Sequence, residues 1–155
     1  MTTDNATQSV EVQAPFDEVL ATIRDVESQP EWIPEILEAE VLDVYRGTDL
    51  PATARFRTSA TVGTDEYLLS YRHTDTTMSW TTVEARLQTG QEGRFQLRRH
   101  GPGRTHVTYT LTLQHHLPLP GFLRTHVIQG LVRSTLTGLQ ERCSPGRHPD
   151  RSATA

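Results

Sequence analysis

The feature that most constrains this chain is a sweep of period-two alternation running from Ile36 to His115. It divides into "ILEAEVLDVYRG", "ATARFRTSATVG", "DEYLLSYRHT", "TMSWTTVEARL", "GRFQLRRHG" and "THVTYTLTLQH", with the turn-type sequences "GTDLP", "GT", "DT" and "GPGR" between them. Successive residues of a strand point to opposite faces, so this pattern predicts six strands joined by hairpins into one antiparallel sheet with a single apolar face. The last segment is the clearest: Val107, Tyr109, Leu111 and Leu113 fall on one side, Thr108, Thr110, Thr112 and Gln114 on the other.

A one-sided sheet needs a cover, and the flanking sequence supplies helices. "SVEVQA" alternates like a short strand. Pro15 then opens "PFDEVLATIRDV", where Phe16, Val19, Leu20 and Ile23 recur at helical spacing. "ESQPEWIP" is too broken by proline for more than a short second helix, which carries Trp32 and Ile33 toward the core. After the sheet, "PGFLRTHVIQGLVRSTLTGLQERC" places His126, Gln129, Arg133, Thr137 and Gln140 on one arc. Leu123, Val127, Ile128, Leu131, Val132, Leu136 and Leu139 fill the remainder, as expected of a mostly buried helix. In the joint between sheet and helix, Pro118 ends the strand, Pro120 presets the helix start and Gly121 permits a sharp change of direction. Gly130, Ser134 and Gly138 form a row of small residues on the helix, made either for close packing or for a cavity beside it. The fold class is therefore α+β, in the order β-α-α-β6-α, with a curved antiparallel sheet wrapped around a long C-terminal helix. Residues 8–143 are expected to form one domain, and the polar residues 1–7 and the Pro- and Gly-containing residues 144–155 to be disordered ends.

Composition removes several function classes. The single cysteine, Cys143, rules out an intrachain disulfide framework and a multi-thiolate metal site, and fits a reducing, intracellular setting. The N-terminus has neither a basic nor an apolar segment and no 18 apolar residues run together, so a cytoplasmic protein without a membrane span is expected. All 15 basic residues are arginine, which removes Schiff-base lysines and the lysine of a phosphate-binding loop. Residues 1–50 hold 12 acids and 2 arginines, and residues 51–155 hold 7 acids and 13 arginines; opposed charges of this kind mostly neutralise one another across a fold. His115, His116 and His126 are the only histidine cluster. The first two point to opposite faces of a regular strand, and no carboxylate occurs between residues 107 and 140, so no metal is expected. A "GxSxG" turn is absent, and no nucleotide, cofactor or nucleic-acid motif is present. "RFQLRRHGPGR" makes a basic hairpin of Arg94, Arg98, Arg99 and Arg104, either simply solvated or suited to an acidic carrier protein or anionic headgroups.

The stretches "APFDEVLATIRDVESQPEWIPEILEAEVL", "SWTTVEARL" and "GPGRTHVTYTLTLQHHLPLPGFL" resemble the START-like helix-grip superfamily (SRPBCC) of lipid-transfer domains, aromatic polyketide cyclases and coenzyme-Q-binding proteins. The resemblance implies a deep apolar cavity between sheet and C-terminal helix. It makes an apolar small molecule, lipid- or polyketide-like, the expected ligand and an acyl carrier protein a possible partner of the basic hairpin. The ligand-binding residues expected from it are Trp32, Ile36, Phe56, Tyr67, Tyr71, Trp80, Phe95, Leu97 and Tyr109, with Leu123, Val127, Leu131 and Ser134 as the helix wall. Alignment with the cyclases also makes Ser70 and Arg72, in "SYR", the catalytic candidates for holding an enolate and relaying a proton. A tyrosine those cyclases use is Ile36 here, which weakens that reading. The alignment conflicts with hydrophobicity as well: hydrophobicity turns Tyr67, Leu69 and Tyr71 inward, whereas the alignment turns Leu68, Ser70 and Arg72 inward, and one regular strand cannot do both. Three functions stay open: an apolar-ligand carrier, an aromatase/cyclase without metal or nucleotide, and an interaction protein with a vestigial cavity.

Overall fold

The computed structural model describes residues 2–60, 63–86, 90–116 and 119–144. Its strands are β1 (Thr2–Val12), β2 (Ile36–Val44), β3 (Pro51–Ala60), β4 (Gly63–His73), β5 (Thr77–Ala85), β6 (Gly90–Arg99) and β7 (Thr105–His115). The helices are α1 (Phe16–Arg24), a short 3-10 turn (Val26–Glu31) and α2 (Gly121–Arg142). All strand pairs are antiparallel, in the spatial order β1-β7-β6-β5-β4-β3-β2. The six-strand meander and the helix-grip order follow the sequence pattern closely. α1 also buries the expected face, Phe16, Val19, Leu20 and Ile23.

The N-terminus is a correction. Residues 2–7 are not a loose end but the first half of β1, paired with β7 from Thr2 opposite His115 to Val12 opposite Thr105. Their small polar side chains carry no apolar signal because only Ala6 is buried there. What holds them is the ladder and hydroxyl pairs such as Thr7 with Thr110, at 3.2 Å. Residues 145–155, most of the expected C-terminal tail, and Pro118 lie outside the described residues.

Placing β1 at the edge decides how α2 lies. Gln8 Nε2 donates to Gln129 Oε1 at 2.7 Å and Gln140 Nε2 to the Glu11 carbonyl at 2.9 Å. Two residues of the expected wet arc thus tie α2 to β1, while His126, Arg133 and Thr137 remain exposed. Ile128, Val132, Leu136 and Leu139 face the core. α2 begins at Gly121 with Pro120 as its extended cap. Gly121 takes no left-handed conformation, so the expected turn there is made without one. Five ion pairs, Arg55–Glu40, Arg57–Glu38, Arg99–Asp17, Arg124–Asp4 and Arg142–Glu31, join acids of the first 50 residues to later arginines. This is the neutralisation expected of the charge asymmetry.

Candidate ligand cavity

Between the concave face of the sheet and α2 lies a cavity of about 510 Å³. Parity along the strands sets its wall. Phe56, Tyr67, Leu69, Tyr71, Trp80, Phe95, Tyr109, Leu111 and Leu113 face it from β3 to β7, and Val127 and Leu131 face it from α2. Ile33 and Ile36 close the side next to the 3-10 turn. The rings pack on one another: Phe95 stacks on Tyr109 at 4.5 Å, and Phe56 on Tyr67 at 5.5 Å. Trp80 lies 5.5 Å from Phe95, 5.9 Å from Tyr109 and 6.1 Å from Tyr71. Trp80 fits only because its cross-strand partner is Gly93, whose backbone leaves room for the indole. The indole Nε1 donates to Gln91 Oε1 at 2.8 Å.

The cavity is polarised along the strands. Tyr71, Trp80, Phe95 and Tyr109 make an aromatic end, whereas Thr58, Asp65, Gln91 and His115 make a polar end. Burial pushes the Tyr67 hydroxyl up to about 12, although hydrogen bonds with Gln91 and Thr58 oppose the shift. Burial likewise raises Tyr71 and Tyr109 well above the usual phenol range, reinforced by the neighbouring phenols. All three are neutral hydrogen-bond donors at ordinary pH.

At the polar end His115 Nε2 meets Asp4 Oδ2 at 2.5 Å, and Arg124 Nε lies 3.2 Å from the same oxygen. Burial pushes the Asp4 carboxyl up, but the hydrogen bonds from His115 and Arg124 together with their charges outweigh it and hold it below its ordinary value. A depressed folded pKa stabilises the fold above the unfolded value, and that stability is lost as pH falls through the folded one. Asp4→Asn should therefore lower the urea midpoint at pH 7, with the gap to the parent protein narrowing below about pH 3.8, the ordinary carboxyl value. A gap independent of pH would remove the charge of Asp4 from the account. His115 is buried, lines the cavity and links β7 to β1 and α2, while His116 and His126 are exposed. The three histidines are not brought together, and no group of three metal-ligating side chains converges among the described residues.

Four expected wall residues lie elsewhere. Leu97 is solid core one pleat beyond Phe95, and Leu123, in the first turn of α2, is 39% exposed. Trp32 and Ser134 line a separate groove between α2 and the 3-10 turn, together with Gly130 and Gly138. Within the row of small residues only Gly138 serves close approach, since a methyl there would sit 1.9 Å from the Trp32 carbonyl oxygen, whereas one on Gly130 would meet nothing within 4 Å. Ser134 Oγ donates to Glu35 Oε1 at 3.3 Å.

The competing faces of β4 are also resolved. Asp65, Tyr67, Leu69 and Tyr71 point into the cavity. Ser70 and Arg72 lie on the opposite face, in a shallow polar depression with Ser79, Thr81, Glu92 and Arg94. Burying the three apolar or aromatic positions Tyr67, Leu69 and Tyr71 is favoured over burying an unpaired guanidinium, which fixes the parity. Of the basic hairpin, Arg99 stacks on Phe16 at 4.1 Å and lies 3.8 Å from Asp17. Arg98 and Arg104 are exposed at the end of the sheet away from Gln91 and His115. Cavity residues without a sequence signal of their own are Gln29, Glu35, Asp65, Gln91 and Thr135, although Asp65 shares the parity of Tyr67 and was legible to that extent.

The family described as "Polyketide cyclase / dehydrase and lipid transport" matches residues 3–144. Among curated proteins none matches. Among solved structures, a START superfamily protein from Mycobacterium smegmatis superposes with a TM-score of 0.83 at 21% identity, covering 90% of this chain and 96% of that one. A protein from Thermus thermophilus gives 0.74 at 22% identity over 98% and 100%. The Zhui aromatase/cyclase from Streptomyces sp. R1128 gives 0.75 at 14% identity over 92% and 94%. At these identities the likeness shows a shared fold. No helix among the described residues is long and apolar enough to cross a membrane.

Proposed function

Because the chain belongs to the polyketide cyclase / dehydrase and lipid transport family, we propose that it binds an apolar small molecule between its sheet and α2. The observation that carries this reading is the cavity itself. At about 510 Å³, walled by aromatic and aliphatic side chains with a few polar groups at one end, it has the size and lining of a small-molecule site. Unfilled apolar walls forfeit dispersion contacts, a cost that a bound apolar ligand would offset. The catalytic alternative loses both residues that the cyclase resemblance singled out, because Ser70 and Arg72 lie across the sheet from the cavity. Inside, the groups left for proton transfer are His115, held by Asp4, the carboxyls of Glu35 and Asp65, and the three phenols. An acidic carrier protein on the basic hairpin would dock at the aromatic end of the sheet, away from His115.

Leu131→Trp fills the cavity from the helix side and should abolish uptake of an apolar fluorescent probe, whereas Arg72→Ala should leave uptake within twofold of the parent, checked by fluorescence titration. Loss of uptake in the arginine variant alone would sink the carrier reading. Turnover of a poly-β-ketone analogue that collapses with Arg72→Ala would restore the catalytic one.

A further inference from the structure

Two phenols at the aromatic end differ from the third. Tyr71 and Tyr109 are 1% and 7% exposed, and both line the cavity. Neither hydroxyl has a hydrogen-bond partner among the described residues. Tyr67, by contrast, is engaged with Gln91 and Thr58. The two rings flank the same indole, Trp80, at 6.1 and 5.9 Å, and lie within electrostatic reach of each other. A hydroxyl covered by an apolar ligand that offers it no acceptor costs about 1–3 kcal/mol, so phenylalanine would serve a purely apolar pocket better at both positions. Glu35, Asp65 and His115 line the cavity and no arginine does among the described residues; His115 and Asp65 sit at the polar end, and His115 is held by Asp4. The nearby Arg124 is tied to Asp4.

We infer that the cavity selects an uncharged, ring-bearing ligand that presents a carbonyl oxygen to Tyr71 and Tyr109, in preference to a hydrocarbon of the same shape and to a fatty-acid carboxylate. The phenols supply donors and no positive charge, the flanking rings supply flat faces, and a carboxylate at the aromatic end would be buried against neutral phenols, because His115 sits at the polar end and is engaged by Asp4. The inference rests on the binding reading above and narrows it to a chemical class.

The matched pair 9-fluorenone and fluorene, which differ by a carbonyl in place of a methylene, tests it, with dodecanoate as the carboxylate. Titrated by tryptophan quenching and calorimetry, the parent protein should bind fluorenone about tenfold more tightly than fluorene, the ratio about 1.4 kcal/mol gives, and dodecanoate more weakly than either. The double variant Tyr71→Phe/Tyr109→Phe should lose the ketone preference while keeping its affinity for fluorene, which also shows the cavity to be intact. Each single variant should lose part of the preference. Equal affinities in the parent, a preference that survives the double variant, or dodecanoate as the tightest ligand would overturn the inference and leave the binding reading standing. Failure of all three ligands to bind the parent would overturn both.

Discussion

Gly138→Ala should be the most damaging single-methyl change in this protein. The added carbon would lie 1.9 Å from the Trp32 carbonyl oxygen and 3.1 Å from its carbonyl carbon, both backbone atoms that no rotamer change can move. α2 and the segment after the 3-10 turn would have to separate, which would disturb Ile33 and Ile36 at the cavity wall. Overpacking of this kind costs about 1–3 kcal/mol and occasionally more, against a helix-propensity gain of about 1 kcal/mol. With a backbone clash at 1.9 Å the upper end of that range applies, and a net loss of about 2 kcal/mol lowers the Tm of a domain this size by roughly 4–8 °C. Gly130→Ala is the matched control, two turns earlier on the same helix. Nothing lies within 4 Å of its added methyl, so it should raise the Tm. A thermal scan in which both variants move the same way would refute the close approach at Trp32.

Gly93→Ala should disable the cavity while leaving the sheet paired. Its methyl would lie 2.2 Å from Trp80 Cζ2 and 2.7 Å from Nε1, so the indole has to leave its seat and break its hydrogen bond to Gln91. The ring can only swing toward the space shared with Tyr71, Phe95 and Tyr109, where a ligand would lie. Apolar-probe affinity should fall at least tenfold, with a shift in tryptophan emission, while far-ultraviolet circular dichroism stays unchanged; about 1.4 kcal/mol suffices for that factor. The strand gains back some of the glycine's entropic penalty, so the Tm should change less than with Gly138→Ala. Unaltered probe binding in Gly93→Ala would mean that Trp80 does not shape the site.

How far the site was legible follows from which residues were found. Phe56, Trp80, Phe95 and Tyr109 were expected at the cavity from the family resemblance, in line with the alternation of their strands, because side-chain parity is a local property of a strand. Hydrophobicity was the better guide on β4, where the family alignment pointed Ser70 and Arg72 inward. Leu97 shares the face of Phe95 and is still solid core, since where a wall stops bordering empty space depends on what packs opposite it. Trp32 and Ser134 carried the right chemistry and face a different groove. Asp4 carried no local signal. Its partners lie 111 and 120 residues away in the chain, and only the β1–β7 register and the seat of α2 bring them together.

By itself, then, the order of amino acids determined the strands, their inward faces and the apolar side of the final helix, because two- and 3.6-residue periods are written along the chain. The tertiary structure decided the rest: that the polar N-terminus closes the sheet as β1, that glycines admit Trp80 and the Trp32 backbone, and that two phenols are left facing space. Those outcomes depend on distances between segments remote in sequence, and no local period encodes them.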